Sequence, residues 1–145
     1  MITKLDKKTA IEFLKHHQMI TSDLMESEGK ADFLGCFENE VLIATVGVEF
    51  LGRYTLLRSL CVTFARRKEG TGAKLVEAME AYCSRMEYGV IYLLTDSAER
   101  FFHGLGYSTV ERSETPATIL NTPQACQLCP ADAVIMRKEL THYES

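Results

Sequence analysis

Val62-Thr63-Phe64-Ala65-Arg66-Arg67-Lys68-Glu69-Gly70-Thr71-Gly72-Ala73-Lys74-Leu75 is the stretch around which the rest of the chain is read. It lies between a β-branched, strand-like run and an amphipathic, helix-like one. Glycines at the start of a helix let backbone N–H groups approach an anion closely. The first amides of a helix have no partners within it, so they stay available as donors. Arg67, Lys68 and Arg66 place positive charge beside them. A pyrophosphate suits such a turn; a purely structural turn is the plain alternative. The segment is not a P-loop, because the Gly-Lys-Ser/Thr ending is missing. Nor is it the dinucleotide fingerprint, which needs three glycines in its own spacing.

Upstream, Tyr54–Val62, Val41–Phe50 and Phe33–Phe37 read as strands, separated by turns at Gly52 and at Glu38-Asn39-Glu40. Leu5–His17 carries Leu5, Ala10, Ile11 and Leu14 at roughly helical spacing, with Asp6 as N-cap. The polar stretch Thr21–Asp32 reads as a loop or irregular helix. Downstream, Ala73–Met86 is a helix with Leu75, Val76 and Met79 on its buried side. Val90–Leu94 is nearly continuous in apolar character, which predicts a strand covered on both faces. Asp96–Leu105 predicts a short helix, with Asp96 and Glu99 as a capping box and Gly104 and Gly106 at its end. Tyr107–Arg112 reads as a strand. Thr115-Pro116 opens another short helix, a Cys-rich loop follows, and Ala133–Glu139 is the last strand. The order predicts an α/β (α+β) fold with a single mixed, mostly antiparallel sheet, a central parallel strand pair and flanking helices. One domain spans 1–145.

Composition narrows the functional classes. Hydrophobic residues at 46% and charged residues at 25% describe a globular chain. A net charge of -4 argues against a nucleic-acid surface, which is normally basic. No apolar run reaches membrane-spanning length. Five cysteines, an odd number, and no secretory h-region after Met1 argue against a disulfide framework and for the cytoplasm. Cys36, Cys61 and Cys83 fall in predicted elements and read as small core residues. Cys126-x-x-Cys129 is a pair that could hold a soft metal or metalloid. One pair does not make a zinc site and no His is close in sequence, so no metal is assigned. Free thiols, or a substrate-side role for Cys129, are the other readings.

Arg67-x-x-Gly70-x-Gly72 resembles the signature of the GNAT acyltransferase superfamily. Leu60-x-Val62 before it resembles the end of that family's fourth strand. Leu93-Leu94-Thr95 and Ala98-Glu99-Arg100-Phe101-Phe102-x-x-Leu105-Gly106-Tyr107 resemble its fifth strand and following helix. The likeness covers roughly residues 32–139. A narrower likeness, through Leu57-Arg58-Ser59-Leu60, Tyr92-Leu93-Leu94-Thr95, Pro116, Ile119, Cys129-Pro130-Ala131 and Met136-Arg137-Lys138, is to the arsenic-resistance branch.

The resemblance implies acetyl-CoA as co-substrate and a small-molecule amine, with amino-acid-like amines among the candidates, as acceptor. No nucleic-acid or membrane partner is implied, and a homodimer is open to it. Carried over, Leu60 and Val62 would contact the acetyl and pantetheine end through their backbone. Arg67, Lys68, Gly70, Thr71, Gly72 and Ala73 would hold the pyrophosphate, and Thr95, Phe101 and Phe102 would line the other wall. The N–H of Val62 would polarise the thioester carbonyl. Two positions depart from the family's pattern. Where many members have Tyr the chain has Phe102, and where many have Glu it has Arg58.

The strand alternation predicts that Arg58, Leu60 and Val62 share one face, with Ser59 and Cys61 on the other. Arg58 could bind a substrate carboxylate in a bidentate contact, or serve as an ordinary ion-paired residue. Glu49 is the candidate base, with a solvated strand-end carboxylate as its alternative. His103 reads as a helix-surface residue that could titrate near neutrality, and Tyr107 as core. Two further functions stay open: a non-catalytic acyl-CoA-binding module, and a thiol-based metalloid-binding protein.

Overall fold

Asn39 and Glu40 both take positive φ, 50° and 65°. That geometry makes a two-residue hairpin turn whose twist matches the flanking strands. In the computed structural model, which describes residues 1–17, 19, 31–67, 69–122 and 133–140, this turn joins β2 (Ala31–Glu38) to β3 (Val41–Leu51). A second turn, with Gly52 at φ 67°, joins β3 to β4 (Tyr54–Val62). The remaining strands are β1 (Ile2–Leu5), β5 (Val90–Thr95), β6 (Ser108–Val110) and β7 (Val134–Glu139). They form one sheet in the order β1-β2-β3-β4-β5-β7-β6. Every neighbouring pair is antiparallel except β4 with β5. The mixed sheet with its central parallel pair is therefore as the sequence predicts.

Among the described residues four α-helices cover the two faces: α1 (Lys7–His16), α2 (Thr71–Arg85), α3 (Glu99–Gly104) and α4 (Ala117–Leu120). Leu75, Val76, Met79 and Cys83 of α2 pack on Val46, Val48, Leu57, Ile91 and Leu93. On the opposite face, Ala10 and Leu14 of α1 meet Leu5, Phe33 and Cys61. Ile119 of α4 covers Leu56, Tyr92, Leu94 and Ile135 on that same side. Strand β5 thus sends Ile91 and Leu93 one way and Tyr92 and Leu94 the other, which is why its sequence is apolar throughout. Asp6 caps α1, accepting the Thr9 amide at 3.1 Å and the Thr9 hydroxyl at 2.7 Å. These bonds, the hydroxyl's first, hold the Asp6 carboxyl below its ordinary value.

The structure differs from the sequence reading in several local places. Strand β1 precedes α1 and pairs Ile2 with Cys36 and Leu5 with Phe33; so short a strand leaves no legible alternation and exists through its partner. The capping box at Asp96 and Glu99 does not form. Instead the Thr95 hydroxyl accepts the Ala98 amide at 2.9 Å, and Glu99 accepts the Thr109 hydroxyl at 2.8 Å. Pro116 stands at the N-cap of α4 rather than inside it, while the Thr115 hydroxyl donates to the Glu111 carbonyl at 2.8 Å. Of the stretch read as a loop or irregular helix, Ala31 and Asp32 begin β2 and the rest lies outside the described residues.

Candidate functional site

The parallel strands pair only at Thr55 with Ile91 and Leu56 with Tyr92. Beyond those bridges β4 runs on to Val62 and β5 to Thr95 without pairing to each other, so a cleft opens between them. Its cause lies on the other edge of β4. Gly47 opposes Arg58, but Thr45 opposes Cys61, so Ser59 and Leu60 together face Val46. This is a β-bulge, which bends a strand and increases its twist. Ser59 takes φ 58° there. The Thr45 hydroxyl donates to the Ser59 carbonyl at 3.1 Å and holds the distortion in place.

The bulge corrects the expected facing of side chains. Leu57, Leu60 and Val62 pack toward the α2 cluster, while Leu56 and Cys61 pack on the opposite side. Arg58, two residues from Leu56 in the regular part of the strand, goes with Leu56. Arg58 and the pair Leu60 and Val62 therefore lie on opposite faces. Simple alternation fails because one extra residue resets its phase.

The start of α2 closes one end of the cleft. Gly70 is its N-cap at φ 83° and ψ 3°, a left-handed conformation that glycine adopts without a Cβ penalty. The first turn bond of the helix is from the Lys74 amide to the Gly70 carbonyl, at 3.1 Å. The amides of Thr71, Gly72 and Ala73 come before it, where donors and the helix dipole favour an anion. A Cβ on Gly72 would lie 3.6 Å from the Phe101 ring and 3.7 Å from Val62. Gly72 therefore faces a space bounded by the end of β4 and by α3, and any longer side chain would enter it.

The two described arginines of this turn are tied locally. Arg67 Nε donates to the Val62 carbonyl at 3.0 Å, and its guanidinium stands 5.4 Å from the centre of the exposed Phe64 ring. Arg66 pairs with Glu38 and, at 3.1 Å, with Glu69. The turn thus presents backbone donors and nearby positive charge rather than extended arginine side chains. Lys68 lies outside the described residues. Across the cleft Phe101 is 40% exposed, whereas Phe102 is buried in the α2 cluster. Thr95 spends its hydroxyl on the turn before α3.

Glu49 and Arg58, singled out separately in the sequence, are one hydrogen-bonded ion pair. Glu49 opposes Leu56 and Arg58 opposes Gly47, so the two are diagonal neighbours on adjacent strands. Their side chains are 16% and 5% exposed, respectively. A guanidinium buried to this degree persists because it is paired and hydrogen-bonded; Arg58 Nε also donates to Ser59 Oγ at 3.1 Å. Leu56 is the last β4 residue bridged to β5, so the pair sits at the vertex of the cleft.

Tyr107 is buried, as expected of a core residue. Its hydroxyl donates to Glu80 Oε2 at 2.9 Å. Lys138 Nζ donates to Glu80 Oε1 at 3.0 Å and to the Leu105 carbonyl at 2.7 Å. Burial, then the Glu80 charge, pushes the Tyr107 phenol far above its ordinary value, so it is no proton donor at neutral pH. This network was not read from the sequence. Its signal was Glu80 standing four residues after Val76 and three before Cys83, on the apolar stripe of a helix. His103 is exposed. Cys61 and Cys83 are buried and Cys36 partly so. Among the described residues no three His, Cys, Asp or Glu side chains gather as a metal site, and no helix is long and apolar enough to cross a membrane. Cys126 and Cys129 lie outside the described residues.

The acetyltransferase (GNAT) domain family matches residues 3–128. No curated protein sequence matches the chain. Among solved structures, the chain is similar to an acetyltransferase of the GNAT family from Staphylococcus aureus Mu50, at 19% identity over 97% of this chain and 99% of that one, with a TM-score of 0.75. It is similar to an aminoglycoside 6'-N-acetyltransferase complexed with coenzyme A, at 16% identity over 100% and 99% of the two chains and a TM-score of 0.73. It also matches N-acetylglutamate synthase from Neisseria gonorrhoeae, complexed with coenzyme A and N-acetyl-glutamate. That match has 12% identity over 97% of this chain and 35% of that longer one, with a TM-score of 0.74. At these identities the likeness is one of fold. The matches reach the family and do not extend to its arsenic-resistance branch.

Proposed function

The chain belongs to the GNAT acetyltransferases, and from that premise we propose that it moves an acetyl group from acetyl-CoA to the amine of a small molecule. The observation that carries the reading is the separation of β4 from β5 beyond Leu56 and Tyr92, with the glycine-started helix α2 at the open end. An extended pantetheine arm fits such a gap as a strand would, bonding the free edge of β4 from Leu57 to Val62. The pyrophosphate then meets the amides of Thr71, Gly72 and Ala73, and Phe101 flanks the arm. The fit rests on Gly72, whose missing Cβ leaves the space between Phe101 and Val62 open.

In this arrangement the thioester lies toward the cleft vertex. The Leu60 amide, nearer the vertex, polarises its carbonyl, whereas Val62 stands beside Gly72 at the pyrophosphate end; a neutral amine attacks the carbon. Holding both reactants in place supplies a large part of the rate. The thiolate that leaves comes from an ordinary thiol with a pKa of about 8.5, so a dedicated acid in place of Phe102 is not required. The resemblance to the arsenic-resistance branch adds amino-bearing arsenicals to the amines worth screening. A cytoplasmic location and a homodimer complete the reading; sedimentation checks the latter.

Thermal melting with acetyl-CoA tests it. A ligand at one hundred times its dissociation constant adds roughly 2.7 kcal/mol to stability. The expected result is an upward shift that Gly72→Asp removes, followed by release of free CoA on an amine panel. No shift at millimolar acetyl-CoA overturns the proposal. A shift without turnover on any amine favours a non-catalytic acyl-CoA-binding module, the reading that Arg58 and Phe102 support. Arsenite binding lost in the Cys126→Ser, Cys129→Ser double variant favours the thiol-based metalloid reading.

A further inference from the structure

The Glu49–Arg58 pair has a polarity and a position that together select an acceptor. It lies at the cleft vertex, where the acyl end of the arm arrives, and on the sheet face opposite α2. From the structure we infer that the acceptor is an α-amino acid zwitterion, which enters between Glu49 and Arg58 and replaces their bond with two of its own. This rests on the acetyl-transfer reading above and names its substrate class.

An α-amino acid carries a carboxylate and an ammonium on one carbon, the complement of a carboxylate and a guanidinium on adjacent strands. Its carboxylate matches the planar fork of Arg58, and its ammonium then faces Glu49. A cationic acceptor without a carboxylate leaves Arg58 beside a second positive charge, and loses Glu49 as Arg58's partner if it takes that carboxylate. Such a loss is costly, because a buried charge left without its partner is strongly destabilising. Discrimination by an unfilled buried polar partner is larger than discrimination by a methylene.

The same exchange prepares the chemistry. While Glu49 is bonded to Arg58, its Oε1 is held by the guanidinium. Once the incoming carboxylate occupies Arg58, Glu49 is available to the ammonium. A proton passes from the acceptor nitrogen to Glu49, and the nitrogen lone pair forms the C–N bond to the thioester carbon. The resulting oxyanion collapses, the C–S bond breaks, and CoA leaves as thiolate. The second nitrogen proton passes to that thiolate. The products are N-acetyl amino acid and CoA thiol, with Glu49 releasing its proton to solvent. Ser59 Oγ, bonded to Arg58 Nε, holds the guanidinium during the exchange.

The full-length chain is assayed for thiol release with acetyl-CoA and a panel of L-amino acids, each beside its methyl ester and its decarboxylated amine. At least one amino acid is expected to be turned over with kcat/KM roughly 100-fold or more above both partners, the size of a charged hydrogen bond lost. Glu49→Gln is expected to lower kcat with KM little changed, and Arg58→Lys to raise KM. The exchanged pair Glu49→Arg with Arg58→Glu keeps an ion pair and keeps the acetyl-CoA melting shift, but reverses the polarity and loses turnover. Amino acids no better than their esters and amines overturn the inference while leaving acetyl transfer standing. So does undiminished turnover in the exchanged pair, or acetyl-CoA binding with no amino acid turned over. A chain that does not bind acetyl-CoA removes both readings.

Discussion

Single residues set the chemistry available in the cleft. Gly72 and Gly70 act for different reasons, one by leaving space between Phe101 and Val62 and the other by taking φ 83° at the N-cap of α2. Buried Cys83 shows what the core does to an ionisable group. Burial pushes its thiol up from 9.0 to about 12, partly opposed by its hydrogen bond with Thr55. The unfolded chain then releases this proton at lower pH than the folded one. The contribution is therefore whole below pH 9.0 and declines as pH rises from there toward about 12. Urea unfolding across that range is expected to show a falling midpoint, and Cys83→Ala a shallower fall. Equal slopes in the two proteins would assign the alkaline loss to other groups.

At the scale of elements, the bulge in β4 is the feature on which the site depends. It parts β4 from β5, turns Arg58 away from Leu60 and Val62, and needs one residue more than the β3 register allows. Removing Ser59 is expected to restore continuous pairing with β3 and to draw β4 alongside β5. The variant should keep its sheet content by circular dichroism and lose the melting shift with acetyl-CoA. A deletion variant that still binds acetyl-CoA would mean that the cleft has another cause. None of this geometry was legible in Tyr54–Val62, because Ser59 is an ordinary residue in a strand and nothing local announces a positive φ. The register of a neighbouring strand imposed it. The capping box misread at Asp96 has a similar origin. Thr95 competes for the same amides, and the end of β5 brings its hydroxyl to the Ala98 amide first.

In the whole molecule, a sheet divided by a cleft must be held together elsewhere. The α2 cluster does most of this, since it reaches Val46 and Leu57 on one side and Ile91, Leu93 and Met136 on the other. The bonds from Tyr107 and Lys138 to Glu80 add a polar tie between α2 and β7. Tyr107→Phe is expected to cost about 1–3 kcal/mol by urea denaturation, because Glu80 loses a buried donor. Acetyl-CoA affinity should hold, since the tie lies away from the cleft. A variant as stable as the parent would show that Lys138 alone satisfies Glu80.

Alternation, helical spacing and the glycines before α2 were enough to determine the order of the main elements, the mixed sheet and the position of the glycine turn that opens α2. These depend on neighbours in the chain, and the sequence lists those neighbours directly. Tertiary structure alone decided that Glu49 and Arg58 are partners, that Tyr107 shares Glu80 with Lys138, and that Phe101 stays exposed while Phe102 is buried. Each of these depends on strand register or on helix docking. A shift of one residue in register moves side chains to the other face of a sheet, and only the folded chain selects which register is kept.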